Sequence, residues 1–224
     1  MARMNPDARR LAIVEAALAV ALRKGLSATT VRAVAAEMGT SSGLIHHYFE
    51  SMDHVLAAAF ESAAAADLAI TVEAMESAAD PIDQLVAYLV SYTRADQDWA
   101  FQIWLDAWAE ASRRPALQQA SVDLNIAWQQ LLVKTIEAGV EKGVMTCPDS
   151  EAAAWRILSL QDGLSLQVVA HGMILDRVTV SDWVAGIAER ELGLGEGALQ
   201  ARRKSEVGSR KSEVGSWKAE SGSP

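Results

Sequence analysis

Two apolar stripes of helical period flank Met38-Gly39-Thr40, and those residues are too few to make a loop between independent elements. Val31, Val34, Ala35 and Met38 fall at i, i+3, i+4 and i+7, a complete amphipathic face in a very short span. Thr29 or Thr30 can cap that helix by accepting a hydrogen bond from a free backbone N–H, and Gly39 permits the sharp turn. Ser41 can cap a third helix running to about Tyr48. Its inward face is Leu44, Ile45 and Phe49, leaving Ser42, Gly43, His46 and His47 outward. Two helices joined this tightly have the geometry that sets the second into a DNA major groove. The stretch from Thr29 to His54 reads as a helix-turn-helix.

The flanking sequence supplies helices and nothing else. Residues 8–24 place Ile13, Val14, Ala17, Leu18, Ala21 and Leu22 on one face, and Gly25 closes that helix. Arg9 and Arg10 stand at its start, where the helix dipole disfavours cations, an arrangement that makes sense beside a phosphate backbone. A longer helix follows Ser51, with Val55, Leu56, Ala59 and Phe60 inward. Asp80-Pro81 opens another, carrying Leu85, Tyr88, Leu89 and Tyr92. Asp96 or Asp98 caps the next. Pro115 starts a long helix with Val122, Ile126, Leu131, Leu132 and Ile136 as core candidates, and residues 150–171 and 180–192 form the last two, separated by Gly172 and a short linker. No strand pattern is present. The expected fold is all-α with about nine helices: a flexible arm over 1–7, a three-helix helix-turn-helix domain over 8–68, and a continuous helix leading into a helical ligand-binding and dimerisation domain over 69–195.

Residues 203–209 and 210–216 are the same seven residues, RKSEVGS, in tandem. One valine in seven cannot make a coiled-coil seam, and the Gly/Ser/charged composition reads as a disordered tail over 196–224.

Charge confines any nucleic-acid contact. Residues 1–50 hold 6 basic and 4 acidic side chains, whereas residues 51–195 hold 8 basic and 21 acidic. With a formal net charge of −9, the body repels DNA, so contact belongs to the N-terminal part. A single cysteine, Cys147, excludes an intrachain disulfide and reads as an ordinary loop thiol. Leu11–Leu22 is too short to span a bilayer and lacks a cleavage pattern, which predicts a cytoplasmic protein without a membrane partner.

The residues now in view resemble the TetR family of bacterial transcriptional repressors over 8–68. The resemblance is carried by the first helix ending at Gly25, by Thr29-Thr30-Val31-Arg32-x-Val34-Ala35, by Gly39-Thr40-Ser41 and by Leu44-x-x-His47-Tyr48-Phe49. The body resembles the ligand-binding domain of BetI-type regulators, the choline-responsive repressors and their relatives, at residues 104–109, 114–117 and 160–164. The resemblance implies phosphate contacts from Thr30 and Arg32, and a recognition helix with flanks made of Thr40, Ser41, Ser42, Gly43, His46, His47 and Tyr48. It implies a homodimer through the helices of residues 150–192, a palindromic double-stranded operator and a small-molecule effector. Two positions depart from the pattern: relatives carry a lysine where this chain has Met52, and others one where it has Ser42. Fewer cations weaken the salt-dependent part of binding and shift specificity to hydroxyls and imidazoles.

Rival readings remain at three places. His46, His47, Glu50, Asp53 and His54 are close enough for a metal sensor if one helix ran through them, but the start signal Ser51-Met52-Asp53 breaks it. Phe101, Trp104, Trp108, Trp128 and Trp155 read either as plain core or, with Asp106, Glu110 or Asp162 nearby, as a cage for an organic cation. His171, after an apolar helix, reads as a cap or an interface residue rather than a ligand. No phosphate loop, nucleophile elbow or Ser/His/Asp set is recognisable, so neither catalysis nor a cofactor or metal is expected. The competing function is a helical small-molecule-binding protein that does not bind an operator.

Overall fold

The computed structural model describes residues 5–92, 98–171 and 175–203, and the described residues form nine α-helices without a strand. In chain order these are α1 (Pro6–Lys24), α2 (Val31–Glu37), α3 (Ser42–Tyr48), α4 (Met52–Glu76), α5 (Pro81–Ser91), α6 (Asp98–Ala111), α7 (Pro115–Glu141), α8 (Ser150–His171) and α9 (Arg177–Glu191). The all-α expectation is met. Asp96 and Gly172, expected as a cap and a linker residue, lie outside the described residues.

Several boundaries move because caps outrank apolar periodicity. Asn5 accepts from the Asp7 N–H at 3.2 Å and starts α1 at Pro6, so Pro6 and Asp7, expected in a flexible arm, are helical. Asp176 accepts from the Thr179 N–H at 2.8 Å and starts α9 at Arg177, ahead of the apolar run that begins at Val180. Asp80 fulfils its expected role, accepting from the N–H groups of Ile82 and Asp83 at 2.8 and 3.0 Å at the head of α5.

The described residues divide into two units. One holds the chain up to Ile70 together with residues 98–128, and the other holds residues 71–92 together with Gln129 onward. This differs from the boundary expected after residue 68, because α6 and the first half of α7 group with the N-terminal helices.

In the first unit, Ile13, Ala17, Val34, Ile45, Phe49 and Val55 bring α1 to α4 around one core. Phe60 of α4 meets Trp104 of α6 edge to face, with ring centroids 4.8 Å apart. Helix α4 is long and apolar enough to cross a membrane by length and composition, but Val55, Leu56, Phe60 and Ala64 on it are buried within the protein. On α7 the expected core residues Val122 and Ile126 are each 45% exposed, and Leu117, Ala120 and Trp128 are buried instead. Two apolar stripes overlap on this helix, and period alone does not choose between them.

In the second unit, α8 and α9 pack along each other and α5 packs on α9, burying Leu85, Tyr88, Ile157, Val184 and Ala188. The chain stays folded past α9, which corrects the disordered tail expected from residue 196. The buried Glu189 carboxylate accepts from the N–H groups of Gly197 and Leu199, both at 2.8 Å, and residues 198–203 are helical. Arg202 then bonds Asp80 at 3.0 Å and Asp83 at 2.6 Å, while Arg203 bonds Asp182 and Ser181. Gly and charged residues gave this stretch the composition of a linker, whereas its backbone satisfies the buried Glu189 carboxylate and its arginines pair with Asp80, Asp83 and Asp182. From Lys204 the repeat lies outside the described residues.

Candidate functional site

The helix-turn-helix is built from short-range bonds. Thr30 caps α2 by accepting from the Ala33 N–H at 3.2 Å, and its exposed hydroxyl keeps a proton to donate outward. Thr29, the alternative cap, is buried and donates instead to the Gly25 carbonyl at 2.9 Å. Arg23 on α1 pairs with Glu37 on α2 at 2.5 Å, holding the end of one helix to the other. Gly39 takes φ 62° in the turn, and the Thr40 N–H returns to the Ala35 carbonyl at 2.9 Å.

Helix α3 presents what the sequence placed on it. Ile45 and Phe49 are buried beneath it, Leu44 is half-buried, and Ser41, Gly43, His46 and His47 are exposed. Ser42, Thr40 and Tyr48 are half-buried, and the rings of His47 and Tyr48 meet edge to face at 5.0 Å. Ser41 occupies the N-cap position, but its side chain makes no capping bond, contrary to expectation. Arg32 projects from α2, exposed.

Arg10 has a different use from the phosphate contact its position suggested. Its Nη1 donates to the Tyr48 carbonyl at 2.9 Å, and its guanidinium lies 4.0 Å over the Phe49 ring. Both contacts fix the last turn of α3 against α1. An arginine at the head of one helix gives no sign in sequence that its partner lies at the end of another.

Between α3 and α4, Phe49 is extended and the helical path breaks. Asp53 accepts from the N–H groups of Ala116 and Leu117 at 3.0 and 3.4 Å, capping α7. His54 shares a hydrogen bond with Ser51 at 2.9 Å. His54 also lies 4.0 Å from Glu50, but Asp53 is taken up by α7, and no group of three side chains able to hold a metal ion occurs among the described residues.

A second carboxylate links α6 to the reader. Asp106 accepts from the Leu26 N–H at 2.9 Å. Gly25 ends α1 at φ 84°, where a side chain would be strained and would stand 3.3 Å from that carboxylate. The same helix carries Phe101, Trp104 and Trp108. Trp104 and Trp108 lie 5.6 Å apart, Phe101 and Trp108 6.2 Å apart, and Trp104 is buried against Phe60. Trp128 is buried in the same unit. Trp155 belongs to the other unit and is 40% exposed, and Asp162 lies two turns further along α8. His171, exposed at the end of α8, shares a hydrogen bond with Gln167 at 2.8 Å.

Asp162 is the outlying carboxyl of the second unit. Burial pushes it up to about 7, and Tyr88 of α5 feels its charge. The Tyr88 and Tyr92 rings are tilted at 42° with centroids 5.7 Å apart. Tyr88 and Tyr92 are expected on a core stripe, and Tyr88 is fully buried there.

The family model of the BetI-type transcriptional repressor C-terminal domain matches residues 78–193, and that of the bacterial regulatory proteins of the tetR family matches residues 13–59. The chain belongs to the TetR family, with a BetI-type C-terminal domain. This TetR-family protein is a transcriptional regulator carrying a helix-turn-helix DNA-binding domain. It is 30% identical to the HTH-type transcriptional regulator BetI of Rhizobium meliloti over 161 residues, covering 71% of this chain and 77% of that protein. Identity to the BetI of Paraburkholderia xenovorans is 28%, over 76% of this chain and 86% of that one. Among solved structures, a transcriptional regulator of Saccharomonospora viridis in complex with choline superposes with a TM-score of 0.72 at 25% identity, covering 82% of this chain and 96% of the other. One from Pseudomonas aeruginosa shares the fold of the regulator with a TM-score of 0.73 at 24% identity, over 84% and 92% of the two chains.

Proposed function

We propose that this protein is a cytoplasmic homodimeric repressor that binds a near-palindromic operator through α3 and leaves it when an organic cation binds the helical body. The observation that carries the DNA reading is the exposed row Ser41, Gly43, His46 and His47 on α3, with Thr30 and Arg32 beside it and the helix end fixed by Arg10. Imidazoles and hydroxyls donate to guanine and phosphate acceptors, and phosphate contacts from Thr30 and Arg32 set the register. The half-buried Ser42, Thr40 and Tyr48 flank this surface.

One short helix reads too few base pairs for useful specificity, which is the physical reason for two copies. Helices α8 and α9 supply the joining surface: Trp183 and Val178 are exposed on α9, beside half-buried Leu160, Leu164 and Ile187. Two recognition helices would then enter successive major grooves about 34–36 Å apart. The choline held by the Saccharomonospora viridis regulator supports a small organic cation as effector. Such a ligand releases DNA by binding the incompetent spacing more tightly, typically by about 1–3 kcal/mol. The protein acts by binding rather than by turnover.

Selecting bound fragments from the source genome with the purified protein, then titrating choline into a gel shift on the enriched sequence, tests this reading. Enrichment of a two-fold symmetric site that choline releases is the expected result. Failure to enrich any sequence over bulk DNA would favour the small-molecule-binding protein without an operator.

A further inference from the structure

Two carboxylates are exchanged between the reader and the corner where α6 turns into α7. Asp53, in the first turn of α4, accepts from the N–H groups of Ala116 and Leu117 at 3.0 and 3.4 Å. Asp106, on α6, accepts from the Leu26 N–H in the turn after α1 at 2.9 Å. Each bond meets an N–H that its own helix leaves without a carbonyl. Pro115 opens α7, so Ala116 and Leu117 stand in its first turn, and α1 has already closed at Gly25 when Leu26 follows. Leu26 and Leu117 are fully buried, so each carboxylate also seats a core side chain. All of these residues belong to the same unit.

The corner between the two bonds is braced. Glu110, one turn after Asp106, accepts from Arg114 at 3.1 Å and lies 3.6 Å from Arg113. The N–H groups of Arg113 and Arg114 return to the carbonyls of Glu110 and Ala111, and that of Gln118 reaches the Arg114 carbonyl at 2.8 Å. A displacement at one end of this brace therefore loads the other. On the reader side, only the extended Phe49 and two more residues separate α3 from α4, so what holds the first turn of α4 also holds the end of α3.

The ordinary role of an acid in a first helical turn is to favour the helix dipole. That role needs no partner on α7. Asp53 also stands against DNA electrostatics, since it directly follows Met52, where relatives carry a lysine. We propose that Asp53 and Asp106 are positioning residues for operator binding, a two-point clamp through which the α6–α7 corner sets the orientation of α3. This rests on the reading above that α3 binds an operator.

Anisotropy of the full chain on its selected operator is the first half of the test. Asp53→Ala should weaken sequence-specific binding about fivefold or more, the low end of coupling between sites. Asp53→Asn keeps a side-chain carbonyl to accept from Ala116 and should recover most of that loss. Loss of charge alone predicts the opposite sign, because both substitutions would then tighten binding to phosphates. Two bonds of one clamp are not independent, so the double variant with Asp106→Ala should bind within about twofold of the weaker single variant.

Amide exchange of the DNA-free proteins is the second half, and a purely local cap would not move it. Asp106→Ala should speed exchange at Ala116 and Leu117, and Asp53→Ala should speed it at Leu26. Operator binding by Asp53→Ala that equals or exceeds that of the unsubstituted chain overturns the clamp. Fully additive losses overturn it too, as does unchanged exchange at the far bond. Failure to select any operator overturns the operator reading and this proposal together, whereas those three results overturn this proposal alone. If a variant does not fold, exchange at Ala116 and Leu117 is compared in the unsubstituted protein with and without operator: slowing supports the clamp, and no change overturns it.

Discussion

The carboxylate of Asp106 accepts a hydrogen bond from the backbone N–H of Leu26 at 2.9 Å, so a residue of the aromatic helix α6 holds the turn that follows α1. Phe101, Trp104 and Trp108 share that helix, so a shift of α6 would pull on the turn after α1 through this bond. Asp106→Ala leaves the Leu26 N–H unsatisfied in a part-buried turn, a loss of about 1–3 kcal/mol. Calorimetry should show lower stability, and the choline-dependent change in operator affinity should shrink. Intact coupling in a folded Asp106→Ala protein would remove Asp106 from the path.

Arg10 separates positioning from phosphate contact. If it fixes α3 through the Tyr48 carbonyl and the Phe49 face, Arg10→Lys keeps the charge but loses the planar stack, and operator affinity falls while its salt dependence stays unchanged. A phosphate contact predicts the opposite: lysine restores affinity, and Arg10→Ala lowers the salt slope by about one. Anisotropy titrations over a salt series distinguish the two.

The half-buried Asp162 carboxyl, raised by desolvation, has a pH signature of its own. Its folded value of about 7 lies above the ordinary 3.8, so over that interval the native state holds a proton that the unfolded chain has lost. The stability it contributes is full below about pH 4, declines as pH rises to about 7, and levels off beyond, with a total on the order of a few kcal/mol. Asp162→Asn should therefore melt higher than the unsubstituted protein above neutral pH, and the difference should vanish toward about pH 4. A melting difference that is constant with pH would contradict the assignment.

Truncation tests the ordered C-terminal extension. Ending the chain after Arg203 should leave the melting temperature unchanged. Ending it after Gly195 removes both N–H donors to the buried Glu189 carboxylate and both arginine pairs, and should cost about 1–3 kcal/mol or more. Equal melting of the two would show that Glu189 finds other partners.

Local signals in the sequence carried the reader, and contacts distant in sequence were silent there. Gly39, Thr30 and the apolar spacing of α2 and α3 act within a few residues of one another, so their meaning survives in the linear order. Arg10 to Tyr48, Leu26 to Asp106 and Asp53 to Ala116 join positions far apart, and each of these side chains also suits an exposed surface. The aromatic set was visible as residue types, but its arrangement was not. Phe101, Trp104 and Trp108 meet on α6, whereas Trp155 is exposed on α8 and Asp162 lies on that same helix. Residues 196–203 misled by composition, since the bonds to the buried Glu189 come from the backbone N–H groups of Gly197 and Leu199, which residue type does not reveal.

The decisive measurement is the affinity and stoichiometry of the full-length protein on its selected operator, by anisotropy and sedimentation, for the unsubstituted chain and for His47→Ala. The predicted result is two protomers per symmetric site, with His47→Ala losing roughly 1–3 kcal/mol of sequence-specific binding per half-site while its melting and dimerisation are unchanged. Unchanged operator affinity in His47→Ala, or one protomer saturating the full site, would contradict reading by paired α3 helices.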